Sequence, residues 1–387
     1  MTTDTVRRPR ATHQANPTRA VPLGRRFLFA DRRRAALTVL GVAASLLLVL
    51  LLDGIFAGAV DRVTYYIRTS PADVFVAQSG VRTMHMSASA LPADTPDRVA
   101  DVPGVAWAAP IAFASGTIAG PRGRELSYLI GYDTGTGRGG PARLVDGRAP
   151  GAGEAVMDEQ ASDRLGVGVG DLLTAMGASL RVVGLSTGGS SITNTTVFVD
   201  LAEFRRIRGD RVSYVLAGLD AGVDASAGAH RIGATVGGVT VQTRQQFADS
   251  EARVVRDMSA DLLRLMSTIG LVIALAVIAL GLMSATLNRL RDFAVLKALG
   301  GRTPHLAAVV TFQVVLTVVL ASVVASAAAL AVAWLVLLAE PSVEISVTAS
   351  AVTQTTARAL VVGMLGGLWP LRRIAVLDAA SAFRRSR

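Results

Sequence analysis

Apolar and polar positions are sorted along this chain into long blocks, and the blocks predict its elements. The first apolar block is Ala35–Val60, beginning AALTVLGVAASLLLVLL. At ~1.5 Å per residue it crosses a ~30 Å hydrocarbon core. A signal peptide does not fit: the run is too long, starts about 35 residues in and lacks a clean small-residue cleavage site. The second block is Leu262–Leu287 and the third is His305–Leu338. The third could reach ~50 Å as one helix, so it must tilt or protrude. In the fourth, only Ala359–Trp369 is cleanly apolar, and a full crossing must start near Val347 and take in Gln354 and Arg358.

Between the first two blocks the pattern changes period. Asp73–Gln78 (DVFVAQ) alternates as a strand does, and so do Leu126–Ile130, Ser179–Val183, Thr196–Val199 and Val212–Ala217, with Gly and Pro between them. Leu201–Ile207 predicts a short helix. Gln245–Asp261 places Phe247, Val254, Val255 and Met258 at helical spacing and runs directly into the second apolar block, while Asp61–Arg68 extends the first. Both are expected to be stalk helices that carry movement between membrane and domain.

The expected fold is an α-helical integral membrane protein with four transmembrane helices, plus an α+β extracytoplasmic domain inserted between helices 1 and 2. The boundaries are 1–34 (cytoplasmic, with an interfacial helix on inner-leaflet lipid formed by RRFLFADRRR at 25–34), 35–60 (first span), 61–250 (extracytoplasmic domain with stalks), 251–287 (stalk and second span), 288–304 (cytoplasmic segment), 305–338 (third span), 339–346 (outer loop), 347–370 (fourth span) and 371–387 (cytoplasmic tail).

Charge fixes the orientation. The net charge of +10 first suggests nucleic acid, but its placement excludes that partner. Segments 1–34, 288–304 and 371–387 together hold 18 basic residues against 4 acidic ones, a net of +14. Residues 61–250 hold 17 basic and 19 acidic residues. The basic excess flanks apolar runs, as cytoplasmic segments do, so both termini are expected in the cytoplasm of a bacterial inner membrane. The short outer loop carries Glu340 and Glu344 and no base, which agrees.

Candidate chemistry mostly falls away. A Walker A loop needs lysine after glycine, and the single lysine, Lys297, lies in VLKALGG. Gly184-Leu185-Ser186-Thr187-Gly188 matches G-x-S-x-G, but Gly188-Gly189-Ser190-Ser191, which reads as a loop, follows where a nucleophile elbow needs a helix; His230 and Asp224 are the partners that could be proposed for it. Gly135, Gly137 and Gly140 match G-x-G-x-x-G, but Pro141 follows and no helix opens, which predicts a surface loop. His13, His85, His230 and His305 form no metal-ligand spacing. With no cysteine there is no thiolate site. No catalytic, cofactor-binding or metal residue is expected in this chain.

Two features keep a functional reading. Arg289–Leu299 predicts a short amphipathic helix with Phe293 and Leu296 on one face, ended by Gly300-Gly301. From the residues alone it is either an orientation-holding basic loop or a docking helix. Asp53 and Arg358 are ionisable groups inside apolar blocks, at depths that differ by ~5 Å. Either they contact each other, within or between subunits, or Asp53 reaches the interface and Arg358 snorkels.

Several segments resemble the MacB/FtsX-type permeases of ATP-binding-cassette (ABC) transporters, which include the lipoprotein-releasing LolC/LolE and the DevC-like exporters. RRRAALTVLGVAASLLLVLLLDGIFAG at 32–58 is similar to that family's first helix. VPGVAWAAP at 102–110 and DRLGVGVGDLLTAMGASLRVVGL at 163–185 resemble motifs of its outer domain. NRLRDFAVLKALGGRTPHL at 288–306 resembles its coupling segment, with Asp292 in place of the more usual Glu, and LRRIAVLDAASAFR at 371–384 its tail, with Asp378-Ala379 lacking the usual proline. The resemblance implies a separate ABC ATPase that holds ATP and Mg, docked on Arg291, Asp292, Phe293, Leu296, Lys297 and Gly300. It also implies a homodimer or heterodimer of permease subunits, a possible periplasmic adaptor or other extracytoplasmic protein, and export or extraction of amphipathic cargo. The alternative within the family is an FtsX-like signal transmitter that activates an extracytoplasmic cell-wall hydrolase.

Overall fold

The computed structural model describes residues 32–190, 194–288, 303–339, 343 and 345–376. Helix α1 (Arg32–Thr69) has no interior proline to break it and continues through the first apolar block into the polar stretch beyond. A ten-stranded sheet follows. Its elements are β1 (Val74–Gln78), α2 (Thr95–Ala100), β2 (Val105–Gly120), β3 (Gly123–Tyr132), β4 (Leu144–Gly147), β5 (Glu154–Asp158), α3 (Glu159–Leu165), β6 (Leu172–Ala175), β7 (Ala178–Ser186), β8 (Thr195–Asp200), α4 (Leu201–Arg208), β9 (Tyr214–Leu219), α5 (Ala225–Val236) and β10 (Val239–Thr243). Three long helices complete the described chain: α6 (Arg244–Asn288), α7 (Thr303–Ala339) and α8 (Ala349–Val376).

The five strands and the short helix anticipated from periodicity are present. The sheet order is β10-β1-β9-β2-β3-β8-β5-β7-β4, with β6 pairing β2 and β7. Only β3–β8 and β5–β7 pair in parallel. The remaining pairs are antiparallel, so the insert is α+β. β1 follows α1 and β10 precedes α6, and these two strands pair with Val74 opposite Thr243. The chain therefore enters and leaves the sheet at one place, where the Arg244 amide donates to Asp73 O (2.9 Å) and the Arg244 guanidinium to Ser70 O (2.9 Å).

Strand residues alternate between two faces, and here both faces are covered. On one, Leu129, Ala155, Met157, Val197 and Val199 pack with Leu165 of α3 and Phe204 of α4. On the same side Val74, Val76, Val215 and Ala217 pack with Ile232 of α5 and Val99 of α2. The alternating residues Phe75, Ile130, Val156, Phe198, Tyr214 and Leu216 form the opposite face. No helix of the insert covers that face. Ile67 of α1, Phe247 and Ala248 of α6, and Met84 from the loop after β1 do so instead.

The chain divides into two compact units. Among the described residues, one comprises 32–42, 274–288, 303–321 and 359–376, and the other 43–190, 194–273, 322–339, 343 and 345–358. In the first, α1 meets α6 where Gly41 lies against Val277 and Gly281 against Thr38, small residues that let helix backbones come close. The second unit holds the sheet together with α1 from Ala43 and α6 up to Ile273. In it the segment before α8 lies along α1: the Ser346 amide donates to Gly54 O (2.9 Å) and its hydroxyl to Asp61 Oδ2 (3.4 Å).

Three helical stretches, Ala35–Thr69, Arg264–Gly281 and Ala308–Ala339, are long and apolar enough to cross a membrane. Helix α8 reaches ~42 Å but is not among them. Gln354, Arg358 and the threonines at 353, 355 and 356 dilute its first half.

Candidate functional site

The densest polar and aromatic contacts between the long helices and the sheet domain lie where α1 and α6 enter it. At the end of α1, Tyr65 and Tyr66 project on neighbouring helical positions. The Tyr66 hydroxyl donates to Gly139 O (2.8 Å), and its ring lies 6.1 Å from that of Phe198. Gly139 has φ +84° and its Cα faces Ile111, so only glycine fits without displacing the core. Tyr65 lies under a second loop. Gly188, also at φ +84°, presses on the Tyr65 ring where any Cβ would collide with it. That loop is tied down from behind: the Gly189 amide donates to buried Asp158 (2.8 Å), Thr196 donates to Gly189 O (3.0 Å), and Arg62 donates to Ser190 O (3.3 Å).

The start of α6 is held differently. Phe247 is fully buried and stacks on Phe75, with ring centroids 4.9 Å apart and planes at 18°. One turn on, Glu251 is buried at 1% exposure. Its Oε1 accepts from the Met84 and His85 amides, and its Oε2 lies 3.0 Å from His85 Nδ1. The His85 ring stands 4.6 Å from that of Tyr128. Burial, and then the Glu251 carboxylate, push the phenols of Tyr128 and Tyr214 above the ordinary tyrosine range. A carboxylate taken from water is tolerable only with such partners, so Glu251 locks α6 to the loop after β1.

Gly139, which lies within the first of the two motifs set aside above without being one of its three glycines, and Gly188, which ends the second, thus hold the end of α1. Ser186 ends β7, is buried, and donates to Met157 O (3.4 Å), and no helix follows it. Asp224 caps α5 through the Ala227 amide (2.9 Å) and His230 is exposed on that helix. Among the described residues no three His, Asp or Glu side chains group as metal ligands would.

Comparison with known proteins supplies the deciding observation. The sequence profile of the MacB-like periplasmic core domain matches residues 35–256, more than half the chain, and that of the FtsX-like permease C-terminal region matches 264–378. This chain belongs to the MacB/FtsX-type family of ABC transporter permeases. An uncharacterised ABC transporter permease of Mycobacterium tuberculosis is 26% identical over 361 residues, covering 91% of this chain and 96% of the relative. A second from the same species is 25% identical over 364 residues, with the same coverage. Among solved structures, the periplasmic region of MacB from Actinobacillus actinomycetemcomitans aligns with 48% of this chain and 94% of its own, at 12% identity and a TM-score of 0.37.

For this MacB/FtsX-type permease, the residues expected from sequence to meet an ATPase, Arg291, Asp292, Phe293, Leu296, Lys297 and Gly300, lie outside the described residues, as do 1–31 and 377–387. Asp53 and Arg358 fall in the same unit. Rather than meeting Asp53, the Arg358 guanidinium donates to Gln354 Oε1 on its own helix, at 3.5 Å. The two form no contact ion pair within one chain. Sequence reasoning passed over Tyr65, Tyr66, Phe247 and Glu251 as site residues. Their one signal was position, at the seams between apolar block and folded domain.

Proposed function

We propose that this chain is the membrane subunit of an ABC transporter complex in which a separate ATPase, holding ATP and Mg, docks on 288–301 and drives the extracytoplasmic domain through two stalks. One observation carries this reading: Ile67 of α1 and Phe247 of α6 sit in one core cluster with the sheet. A helix seated in a close-packed core cannot shift without taking the core with it. Four crossings with both termini cytoplasmic are the arrangement that keeps the arginine-rich segments 288–304 and 371–387 on one side, and it makes α8 the fourth span. Its Arg358 is then available to Asp53 of the same or a second subunit, since intramembrane charges are usually paired. The chain itself supplies no nucleotide chemistry. It works as a homodimer or heterodimer, and the cargo is amphipathic.

The direct test is Leu296→Asp, which places a charge on the apolar face proposed to insert into the ATPase. Recovery of the ATPase with the purified permease should fall by more than tenfold, the scale of a lost buried contact at an interface. Unchanged recovery together with unchanged ATPase stimulation would refute docking at this segment.

A further inference from the structure

Beside the first stalk junction lies an open cleft of about 630 Å³. Its floor is one face of α1. Asp61, Tyr65 and Arg68 recur there at helical spacing, and Arg62 flanks them. The opposite wall is formed by Arg143, from the loop between β3 and β4, and by Gly188. Helix α1 and the loop before β4 thus bring three guanidinium groups against one carboxylate. Arg68 is partly occupied by Asp61 at 2.9 Å, and Arg62 reaches Ser190 O. Arg143 is exposed, and its side chain has no hydrogen bond or ion pair among the described residues. The cleft carries an unbalanced positive charge in a sheet domain whose formal charge is negative overall.

Its height along α1 gives the charge a meaning, on the reading above that α1 spans the membrane. The apolar block ends at Val60. From Asp61 to Thr69 the helix rises ~12 Å, and the headgroup layer above the hydrocarbon is roughly 5–8 Å deep on each side. The cleft begins inside that layer and opens above it. Guanidinium groups favour phosphate because two N–H donors match two of its oxygens, and Asp61 supplies an acceptor for a hydroxyl or amine beside it.

We propose that this cleft binds a phosphate ester, delivered either as the headgroup of an amphiphile in the outer leaflet or as a free phosphate compound. Occupancy bridges α1 to the Arg143 and Gly188 loops, and so ties the ligand to the stalk that moves.

The test uses the full-length protein in detergent. It is titrated with dihexanoyl phosphatidylglycerol below its micelle concentration, and separately with glycerol 3-phosphate, with affinity read from fluorescence or calorimetry. Arg143→Glu should weaken binding by about tenfold or more, since a charge-assisted contact is replaced by a repulsive one. Arg138→Glu, on the neighbouring turn but outside the cleft, should not. Tighter binding of the lipid than of glycerol 3-phosphate assigns the headgroup as the source; equal binding assigns the free ester. Hydrogen exchange of 61–69 should slow on binding in the parent and not in Arg143→Glu, provided the two unliganded proteins exchange alike. No binding of either compound, or binding indifferent to Arg143→Glu, overturns the proposal. Failure of the membrane reading shows up separately, as release of the chain from membranes by alkaline carbonate, so the two outcomes are distinguishable.

Discussion

The two stalk junctions solve one mechanical problem with different chemistry. Helix α1 is held by tyrosine rings under glycine loops, with main-chain carbonyls as its hydrogen-bond partners and an open cleft alongside. Helix α6 is held by a stacked, fully buried phenylalanine and a buried carboxylate with three donors. A ring sliding under a loop loses contact area gradually. A buried carboxylate pulled from its donors loses nearly everything in the first ångström. The comparison teaches that the α6 junction should tolerate less displacement than the α1 junction, which on the function proposed above makes α6 the rigid lever of the pair.

Four experiments can break or sharpen that contrast. Phe247→Ala should be the most damaging, at about 3–5 kcal/mol as for other buried aromatics, read from denaturation of the outer domain. A smaller loss for Phe247→Ala than for Tyr65→Ala would reverse the assignment of rigid and adjustable stalks. Glu251→Gln keeps the shape but weakens the charge-assisted bonds and should cost about 2 kcal/mol; amide exchange at Met84 and His85 should rise with it. Gly188→Ala should cost about 1–2 kcal/mol from backbone strain plus the collision with Tyr65. In the background of Tyr65→Ala the collision disappears and only the strain remains, so the double mutant should be less destabilised than the sum. Tyr214→Phe is expected to cost about 1 kcal/mol at neutral pH, because the hydroxyl donates to Thr83 O and Ser87 O. Its pH dependence has a fixed sign. The folded state raises the Tyr214 pKa, so the stability this contributes is present below the ordinary tyrosine value near 10. It is lost as pH rises beyond that, and the variant's alkaline unfolding limb should move to higher pH.

Much of the fold was legible because lipid and sheet impose different periods. The long apolar blocks and strands such as β8, with its Val and Phe, announce themselves. Strand β2 does not. Its sequence VAWAAPIAFASGTIAG is rich in small residues and contains Pro110, and both its faces are covered, which erases the alternation. It also changes partner along its length, pairing β9 through its first half and β3 through its second. Helix α3 spans only seven residues and α5 is rich in Ala and Gly, so periodicity is decisive in neither. For the junctions, sequence identified the Gly135–Gly140 and Gly188–Ser191 segments as loops and could go no further. What they grip lies 73 residues away for Gly139 and more than a hundred for Gly188. Glu251 reads as one more charge on a polar helix face until the 79–90 loop is folded onto it. The apolar spacing of Phe293 and Leu296 was readable in the sequence, whereas what that spacing would meet was not.

The pairing of β1 with β10 gives the outer domain a single doorway, framed by Ser70, Asp73 and Arg244. As long as β1 and β10 and the residues that pack on Ile67 and Phe247 are kept, the rest of the insert can lengthen, shorten or be exchanged without altering the separation of the two helices beneath. The insert is in this sense a cassette. A hybrid that keeps those residues and carries the rest of another permease's outer domain on these helices should keep its membrane half intact while acquiring a new specificity above it.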